Sequence, residues 1–390
     1  MKAQDLCELR ARAQAFALGA AAEVDQAGDE DGQAKRALAL LAAEGWLEWT
    51  VPAKNGGKDT GSLCSAEQVS AQALCAIRSG LAFGSGMLDV IFIEQGLGSY
   101  PIAMGGTSEL RAKVLPRVAR GEHIAAFALT EEGAGSDVSG VALRATQHGN
   151  GWQLKGAKTL ISNAGLAHGY TLVARTEGEP GDREGLSMFY VPADVEGLSV
   201  SRFEVMAPHP IGEVHLDGVQ LGQESLLGPL GGGMELALGN LARFRTSVAA
   251  AANGFAGRAL TESAQRLQGR QQFGRPLSSF QGLRFDLAEM DVRLAASEQL
   301  VTLAAKAVDG EQESTAAVAR AKLFATEAAG WICDRAVQHF GGMGVRRGQI
   351  VERLYREVRA LRIYEGTSEV QKLILAKDLL RRCSEQSIDG

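Results

Sequence analysis

The sequence lacks the features that would place the protein in a secreted, redox-paired or membrane-spanning class. Its five cysteines include no C-x-x-C pair, and their odd number and scattered spacing indicate reduced thiols in a cytosolic setting. No run approaches the ~20 consecutive apolar residues that a helix needs to cross a bilayer. The first segment carries Asp5 and Glu8 and does not resemble a secretory signal. We expect a cytoplasmic protein and assign no metal ligands.

An excess of positive charge is also missing. The chain has 40 Lys and Arg residues against 46 Asp and Glu residues, which gives a formal net charge of −6. A protein with that balance has no overall attraction to nucleic acid or to an anionic membrane surface. We therefore expect neither a nucleic-acid partner nor a membrane partner.

What remains is an ordinary globular composition arranged in three zones. Hydrophobic residues make up 45% of the 390 residues, and a chain of this length predicts two or three lobes. Helical patterns fill residues 1–124 and 229–390, where Leu283, Leu287, Met290 and Leu294 form one helical stripe behind a capping box of Ser278 and Gln281. Short strand-like runs between glycines fill residues 125–228 and predict a small antiparallel barrel or sandwich. The order predicts an α+β fold with an all-α domain, a β domain and a second helical domain.

Five short motifs are the candidates for chemistry. They are LTEEGAGSD (129–137), GAKTLISNAGLA (156–167), RQQFGRPLSSFQ (270–281), AVQHFGGMG (336–344) and IYEGTSEV (363–370). Each one alone is compatible with a turn, a strand end or a helix stop. The glycines of the first motif allow a ligand to approach the backbone closely, although they do not form a G-x-G-x-x-G fingerprint.

Together the five motifs resemble the acyl-CoA dehydrogenase family, in which they occur in this order. The resemblance extends over nearly the whole chain. It implies an N-terminal helical domain, a middle β domain and a C-terminal four-helix bundle. It also implies FAD as the cofactor, an acyl-CoA substrate from fatty acid or acyl-CoA metabolism, an electron-transfer flavoprotein as the electron acceptor, and a homotetramer or homodimer.

The resemblance further implies two sets of site residues. The expected cofactor contacts are Phe127, Leu129, Thr130, Ser136, Leu160, Ser162, Arg270, Phe273, Gln281, Gln338, Gly341, Gly342, Thr367 and Glu369. The expected substrate contacts are Ser136, Phe244, Arg245, Tyr364 and Gly366. Among the cofactor contacts, Ser162 is expected to hydrogen-bond the reactive nitrogen of the flavin ring, and Arg270 to reach the FAD of a neighbouring subunit.

Glu365 is the expected catalytic base. In the family a carboxylate removes a proton from the carbon beside the thioester carbonyl, while the next carbon gives hydride to the flavin and a trans-2-enoyl-CoA forms. Such a base must lie within hydrogen-bonding reach of a weak carbon acid whose carbonyl is polarised by donors. Some relatives carry the base just before the arginine that matches Arg245. Here that residue is Phe244, which cannot accept a proton.

Departures from the family pattern leave alternatives open. Leu160 stands where many relatives have a tryptophan against the flavin, and Ala242 replaces an aspartate that helps to hold the CoA arm. An acyl-carrier-protein thioester is therefore an alternative substrate. A direct oxidase and a fold-retaining binding or scaffold protein are further alternatives. Glu365 argues against the monooxygenase and nitroalkane oxidase relatives, and the motifs do not determine the length, branching or ring character of the acyl group.

Overall fold

Helices flank a group of strands along the chain, as the α+β prediction required. The computed structural model describes residues 3–386. The α-helices within them are α1 (Ala3–Asp25), α2 (Glu30–Ala43), α3 (Ala71–Gly84), α4 (Gly86–Gly105), α5 (Ser108–Ala119), α6 (Gly233–Gly269), α7 (Gln281–Asp309), α8 (Thr315–Phe340), α9 (Ile350–Arg359) and α10 (Ser368–Gln386). The strands are β1 (Ala125–Ala128), β2 (Arg144–His148), β3 (Gly151–Ser162), β4 (Gly169–Arg175), β5 (Leu186–Pro192), β6 (Leu198–Arg202), β7 (Ile211–Gly222), β8 (Leu226–Leu227), β9 (Gln271–Gln272) and β10 (Arg275–Pro276).

The chain forms two compact units, which we describe separately. The helical unit consists of the described parts of residues 1–19, 71–86 and 245–390, and the mixed unit consists of residues 20–70 and 87–244. The three-domain boundaries at residues 124 and 228 stay a prediction. No helix within residues 3–386 combines the length and the apolarity that a bilayer crossing requires.

One eight-stranded sheet organises the mixed unit. Its strand order is β6-β7-β3-β2-β4-β5-β8, and β1 pairs in parallel with β4. Every residue of β4 is buried, including Thr171 and Arg175, whose side chains donate to the backbone carbonyls of Gly98 and Val141. The long strands β3 and β7 pair antiparallel and place Ser162 opposite Ile211, with an irregular register between Lys158 and Ile161. This irregularity lies inside the second predicted motif.

Small apolar side chains build the core of the helical unit. Ala249, Ala252 and Ala329 are at most 1% exposed, and Met290 of the predicted α7 stripe is fully buried among them. The predicted Ser278–Gln281 capping box is wrong. Helix α7 begins at Gln281 with Phe280 as its N-cap, because residues 277–279 already form a short 3-10 turn.

Candidate active site

The loop before α10 holds Glu365 in a strained backbone conformation. Glu365 has a φ of 53° and Gly366 a φ of 94°. A residue with a Cβ pays roughly 1–2 kcal/mol for the left-handed region. Strain of this kind persists only where the surrounding structure imposes it, and it concentrates at functional sites. The contacts that impose it are therefore informative.

Two cations hold this loop by its carbonyl oxygens. Arg245 Nε on α6 donates to the Glu365 carbonyl at 2.6 Å, and Lys322 Nζ on α8 donates to the Gly366 carbonyl at 2.6 Å. Gln371 Nε2 on α10 donates to the same Gly366 oxygen at 3.0 Å. A Cβ at position 366 would lie 2.6 Å from that Gln371 nitrogen, so both the positive φ and the space favour glycine. Side chains from α6, α8 and α10 therefore fix the backbone position from which the Glu365 carboxylate extends.

The charges of these side chains depend on one another. Burial lowers the pKa of Lys322 to about 8, and the charge of Glu365 is the strongest of the effects that oppose this shift. Burial likewise lowers the pKa of Arg245, again opposed by Glu365. An anion at position 365 therefore favours the charged forms of both cations that fix its own backbone.

Helix α8 provides a second anchor through Glu327. Its carboxylate accepts a hydrogen bond from the Ser368 hydroxyl at 2.6 Å and one from Arg362 at 3.0 Å. Burial raises the pKa of Glu327, but these two hydrogen bonds and the Arg362 charge outweigh it and hold the pKa below its usual value. Thr367 accepts from the Val370 N–H at 3.3 Å and so caps α10.

A buried lysine joins the first two motifs within the mixed unit. Lys158 Nζ lies 2.6 Å from a carboxylate oxygen of Glu131 and 3.0 Å from the carbonyl oxygen of Leu129. The Thr159 N–H donates to the Thr130 carbonyl at 2.9 Å. Burial lowers the pKa of Lys158 to about 8, and the Glu131 carboxylate opposes that shift. The structure therefore brings the predicted contacts Leu129 and Thr130 next to the strand that carries Leu160 and Ser162.

Open space surrounds the glycines of the first motif. A Cβ placed at Gly133 or Gly135 would meet no atom within 4 Å, and the neighbouring Ser136 is exposed. Phe127, by contrast, is buried on β1. The first motif therefore begins at Leu129, whose carbonyl is bonded by Lys158, and continues into an exposed turn with unobstructed backbone.

The second motif contains two unusual side chains, Leu160 and Ser162. Leu160 has a φ of 56° and is 54% exposed, at the irregular part of β3. The Ser162 hydroxyl lies 2.8 Å from His209 Nε2. Backbone strain of this kind concentrates at functional sites, so Leu160 stays a predicted cofactor contact.

The third motif forms a tight hairpin in the helical unit. Strands β9 and β10 are joined by Phe273 and Gly274, with φ values of 53° and 76°, as a type I′ turn requires. Phe273 is 91% exposed, and Arg270 and Gln281 are exposed as well. The predicted cofactor contacts of this motif, Arg270, Phe273 and Gln281, are therefore accessible on the surface of the helical unit.

The fourth motif ends α8. Gly341 has φ 61° and ψ −141°, a region that is essentially restricted to glycine, and its N–H donates to the Gln338 carbonyl. A Cβ at Gly341 or Gly342 would meet no atom within 4 Å. The motif is a helix stop, as its composition alone indicated, and it also leaves unobstructed backbone.

The remaining predicted residues lie in different surroundings. Phe244 is fully buried in the mixed unit, where its ring meets Tyr100 edge-on at 5.6 Å and leaves room only for glycine at Gly96. Tyr364 packs against the core of the helical unit, and Glu369 is exposed in the first turn of α10. Their ligand contacts stay predictions.

Sequence reasoning missed five side chains that organise the site. They are Lys158, His209, Lys322, Glu327 and Gln371. Two of them carried a usable signal. A lone lysine on the alanine-rich face of α8 indicates a buried cation with a dedicated partner, and a histidine between two prolines indicates a rigidly held ring.

Three family models match consecutive parts of the chain. The N-terminal domain of acyl-CoA dehydrogenase matches residues 4–122, its middle domain residues 126–219 and its C-terminal domain residues 231–380.

Individual relatives agree with these matches. Cyclohexane-1-carbonyl-CoA dehydrogenase of Geobacter metallireducens is 33% identical over 94% of this chain and 93% of its own length. An acyl-CoA dehydrogenase of Bacillus anthracis complexed with FAD has a TM-score of 0.87 at 26% identity, over 99% of this chain and 68% of its own. A chain in the electron transferring flavoprotein structure of Acidaminococcus fermentans has a TM-score of 0.87 at 27% identity, over 98% and 99% of the two chains.

These matches span the helical and strand-rich segments and all five motifs of the sequence. Along the chain, the three matched domains correspond to a first group of helices, the strands β1–β7 and a second group of helices. The chain therefore belongs to the acyl-CoA dehydrogenase family and is an FAD-dependent oxidoreductase that acts in acyl-CoA dehydrogenation.

Proposed function

We propose that this enzyme converts an acyl-CoA thioester to the trans-2-enoyl-CoA with Glu365 as the base and an electron-transfer flavoprotein as the electron acceptor. The observation that carries the proposal is the fixation of the Glu365 loop. Arg245 and Lys322 each bond a carbonyl oxygen of this loop at 2.6 Å. A base aimed at one carbon–hydrogen bond requires such a fixed backbone, since a small displacement of a reacting group costs a large factor in rate.

Each side chain has a defined part in this proposal. Glu365 accepts the proton from the carbon beside the thioester carbonyl. Arg245 and Lys322 fix the loop and keep positive charge near the carboxylate. Phe244, at the family's other base position, is buried and has no proton acceptor. Bound FAD supplies the acceptor for the hydride that leaves the neighbouring carbon.

Each unit, taken by itself, carries residues that suit part of a flavin nucleotide. The backbone is open to the approach of a ligand at Gly133 and Gly135 in the mixed unit. The same holds at Gly341 and Gly342 in the helical unit. The exposed guanidinium of Arg270 suits a phosphate, to which arginine forms strong charge-assisted hydrogen bonds. We assign the cofactor to these residues and to the other predicted contacts, which are Phe127, Leu129, Thr130, Ser136, Leu160, Ser162, Phe273, Gln281, Gln338, Thr367 and Glu369.

The relatives support the proposed substrate and electron acceptor by their names. The Geobacter relative is named as a dehydrogenase of a CoA thioester, and the Acidaminococcus neighbour comes from a structure of an electron transferring flavoprotein. We propose a CoA thioester on this basis, with Ser136, Phe244, Arg245, Tyr364 and Gly366 as its contacts.

Exposed apolar side chains on α7 support a homo-oligomer. Phe285, Val292 and Leu303 are each about two-thirds exposed. Residues 7 and 11 apart on an α-helix share one face, because both spacings are close to whole numbers of turns. We propose that a second copy of the chain covers this stripe in a dimer or tetramer.

Replacing Glu365 tests the proposal. Glu365→Gln keeps the size of the side chain and removes the proton acceptor, so bound FAD and thioester affinity should persist. The rate of anaerobic flavin bleaching by a good acyl-CoA substrate should fall by ~10²–10⁴-fold, the usual contribution of a general base. Stopped-flow absorbance measures this rate.

Glu311→Gln is the matched control. Glu311 also has a φ of 53° but is exposed in the turn after α7. It should bleach at the wild-type rate. A loss of less than about tenfold in Glu365→Gln, with normal FAD content, would show that another group takes the proton.

A further inference from the structure

Ser162 and His209 form a pair that the assigned chemistry leaves unexplained. The Ser162 Oγ atom and the His209 Nε2 atom are 2.8 Å apart, at the distance of a good hydrogen bond. Both residues belong to the mixed unit, and both are half-buried. Either atom can donate, because the imidazole can carry its proton on either nitrogen.

The His209 ring is attached to a rigid backbone. Pro208 and Pro210 flank it and restrict the dihedral angles on both sides. The Pro210 carbonyl accepts a hydrogen bond from the N–H of Asn163, the residue after Ser162, at 2.6 Å. The backbone N–H of His209 also hydrogen-bonds the Glu30 carboxylate at the start of α2. The segment that carries the imidazole is therefore tied directly to the strand end that carries Ser162.

The imidazole is neutral near pH 7. Its surroundings withdraw it from water, and Arg202 adds a positive charge nearby, so that the pKa of His209 falls to about 4. A neutral imidazole offers one N–H donor and one nitrogen acceptor. Ser162 thus faces a partner that can either give it a hydrogen bond or take one from it.

We propose that His209 is a positioning residue that sets the direction of the Ser162 hydroxyl toward the flavin and reverses it when the redox state changes. This inference rests on the proposed function, in which Ser162 contacts FAD, and on the family resemblance, which implies that Ser162 hydrogen-bonds the reactive nitrogen of the flavin ring. That nitrogen accepts a hydrogen bond in oxidised flavin and donates one in reduced flavin. Its partner must therefore be able to act in both senses.

The pair meets that requirement without gaining or losing a proton. With the imidazole proton on Nε2, His209 donates to Ser162 Oγ and the hydroxyl hydrogen points outward as a donor. With the proton on Nδ1, the hydroxyl donates to Nε2 and its oxygen is left as an acceptor. The two states differ only in which imidazole nitrogen carries the proton.

Loss of His209 should disfavour the reduced state more than the oxidised state. When Ser162 accepts a hydrogen bond, its own proton needs His209 as the acceptor. When Ser162 donates to the flavin, losing His209 removes only the hydrogen bond that Ser162 Oγ accepts from the imidazole. An unpaired donor is the rarer and costlier defect in proteins. The midpoint potential of the bound FAD should therefore become more negative in His209→Leu.

Potentiometric titration of the purified, FAD-loaded enzyme tests this inference. His209→Leu should change the oxidised-to-reduced equilibrium by roughly three- to tenfold, the effect of one hydrogen bond. For a two-electron couple, tenfold corresponds to about 30 mV. His209→Gln, whose amide both donates and accepts, should recover at least half of the shift. If His209→Leu fails to retain FAD, His209→Met serves for the same comparison.

A double variant separates the inference from the proposed function. In a Ser162→Ala background, His209→Leu should shift the potential by less than a third of its effect in the wild type, because the relay is already broken. An equal shift in both backgrounds would overturn the relay and leave the Ser162 contact intact. An unchanged potential in Ser162→Ala alone would remove Ser162 from the cofactor site. It would overturn both the relay and the proposed Ser162 contact.

Discussion

Two loops of the helical unit share the same backbone strain but differ in what surrounds them. Glu365 and Phe273 both have a φ of 53°, and each is followed by a glycine with positive φ. The Glu365 loop is bonded by side chains of α6, α8 and α10. Phe273 is 91% exposed at the tip of a two-stranded hairpin. The comparison shows that one local conformation can be imposed by long-range contacts or by turn geometry alone.

The difference has a functional consequence. A carboxylate that removes a proton from one particular carbon requires a rigid backbone. Cations that hydrogen-bond the carbonyl oxygens of its loop provide that rigidity. Within its own chain, the exposed Phe273 ring meets the Phe280 ring edge-on, with the ring centroids 6.1 Å apart. The family resemblance implies a further contact of this ring with the FAD of a neighbouring subunit. Four perturbations separate these two cases, from the largest expected effect to the smallest.

The first perturbation removes a cation from the Glu365 loop. Lys322→Met keeps most of the side-chain length but leaves the Gly366 carbonyl without its charged donor, so Glu365 loses its fixed position. We expect kcat to fall by about 10–100-fold, with little change in FAD content. Arg320→Met is the control on the same helix, since Arg320 makes an exposed ion pair with Asp378 at 3.2 Å. Equal activity losses in the two variants would contradict the role of Lys322.

The second perturbation overfills the loop. Gly366→Ala places a Cβ at positive φ and 2.6 Å from Gln371 Nε2. We expect the free energy of unfolding to fall by about 2 kcal/mol, together with a loss of activity. Gly348→Ala, with a φ of 87° and no atom within 4 Å of the new Cβ, should cost only about 1 kcal/mol. Urea denaturation measures both values, and identical losses would show that Gln371 yields without cost.

The third perturbation relieves strain at the hairpin tip. Phe273→Asn replaces the ring by a residue that tolerates positive φ, so stability should stay equal or rise by less than about 1 kcal/mol. FAD retention after gel filtration should nevertheless decrease, because the exposed ring is lost as a contact. The exposed Leu230 provides the control variant Leu230→Asn, which should retain FAD normally. Unchanged FAD retention in Phe273→Asn would remove Phe273 from the cofactor site.

The fourth perturbation is a change of pH. Burial lowers the pKa of Lys322 from 10.5 to about 8, so between these values the folded protein binds fewer protons than the unfolded chain. Stability contributed by this group must then rise with pH across that window. The difference in thermal midpoint between wild type and Lys322→Met should therefore move in favour of the wild type from pH 7.5 to pH 10. A difference independent of pH would place the titration elsewhere.

Local sequence signals predicted much of the fold and the positions of the motifs. The helix–strand–helix order, the α7 stripe at Met290 and the glycine stop at Gly341 all follow from residues close together in the chain. The capping box at Ser278 failed because the preceding segment forms a 3-10 turn before α7 begins. Such competition between neighbouring turns is decided by small energies that composition does not reveal.

The sequence by itself determined that a glutamate and a glycine stand together before a capped helix, because capping and positive φ depend on residue type. Only the tertiary structure decided which side chains hold that glutamate. Arg245 and Lys322 lie 120 and 44 positions away from the carbonyls that they bond. His209 likewise lies 47 positions from Ser162. A buried cation or imidazole requires a polar partner, but helix packing and strand register alone select which one lies within reach.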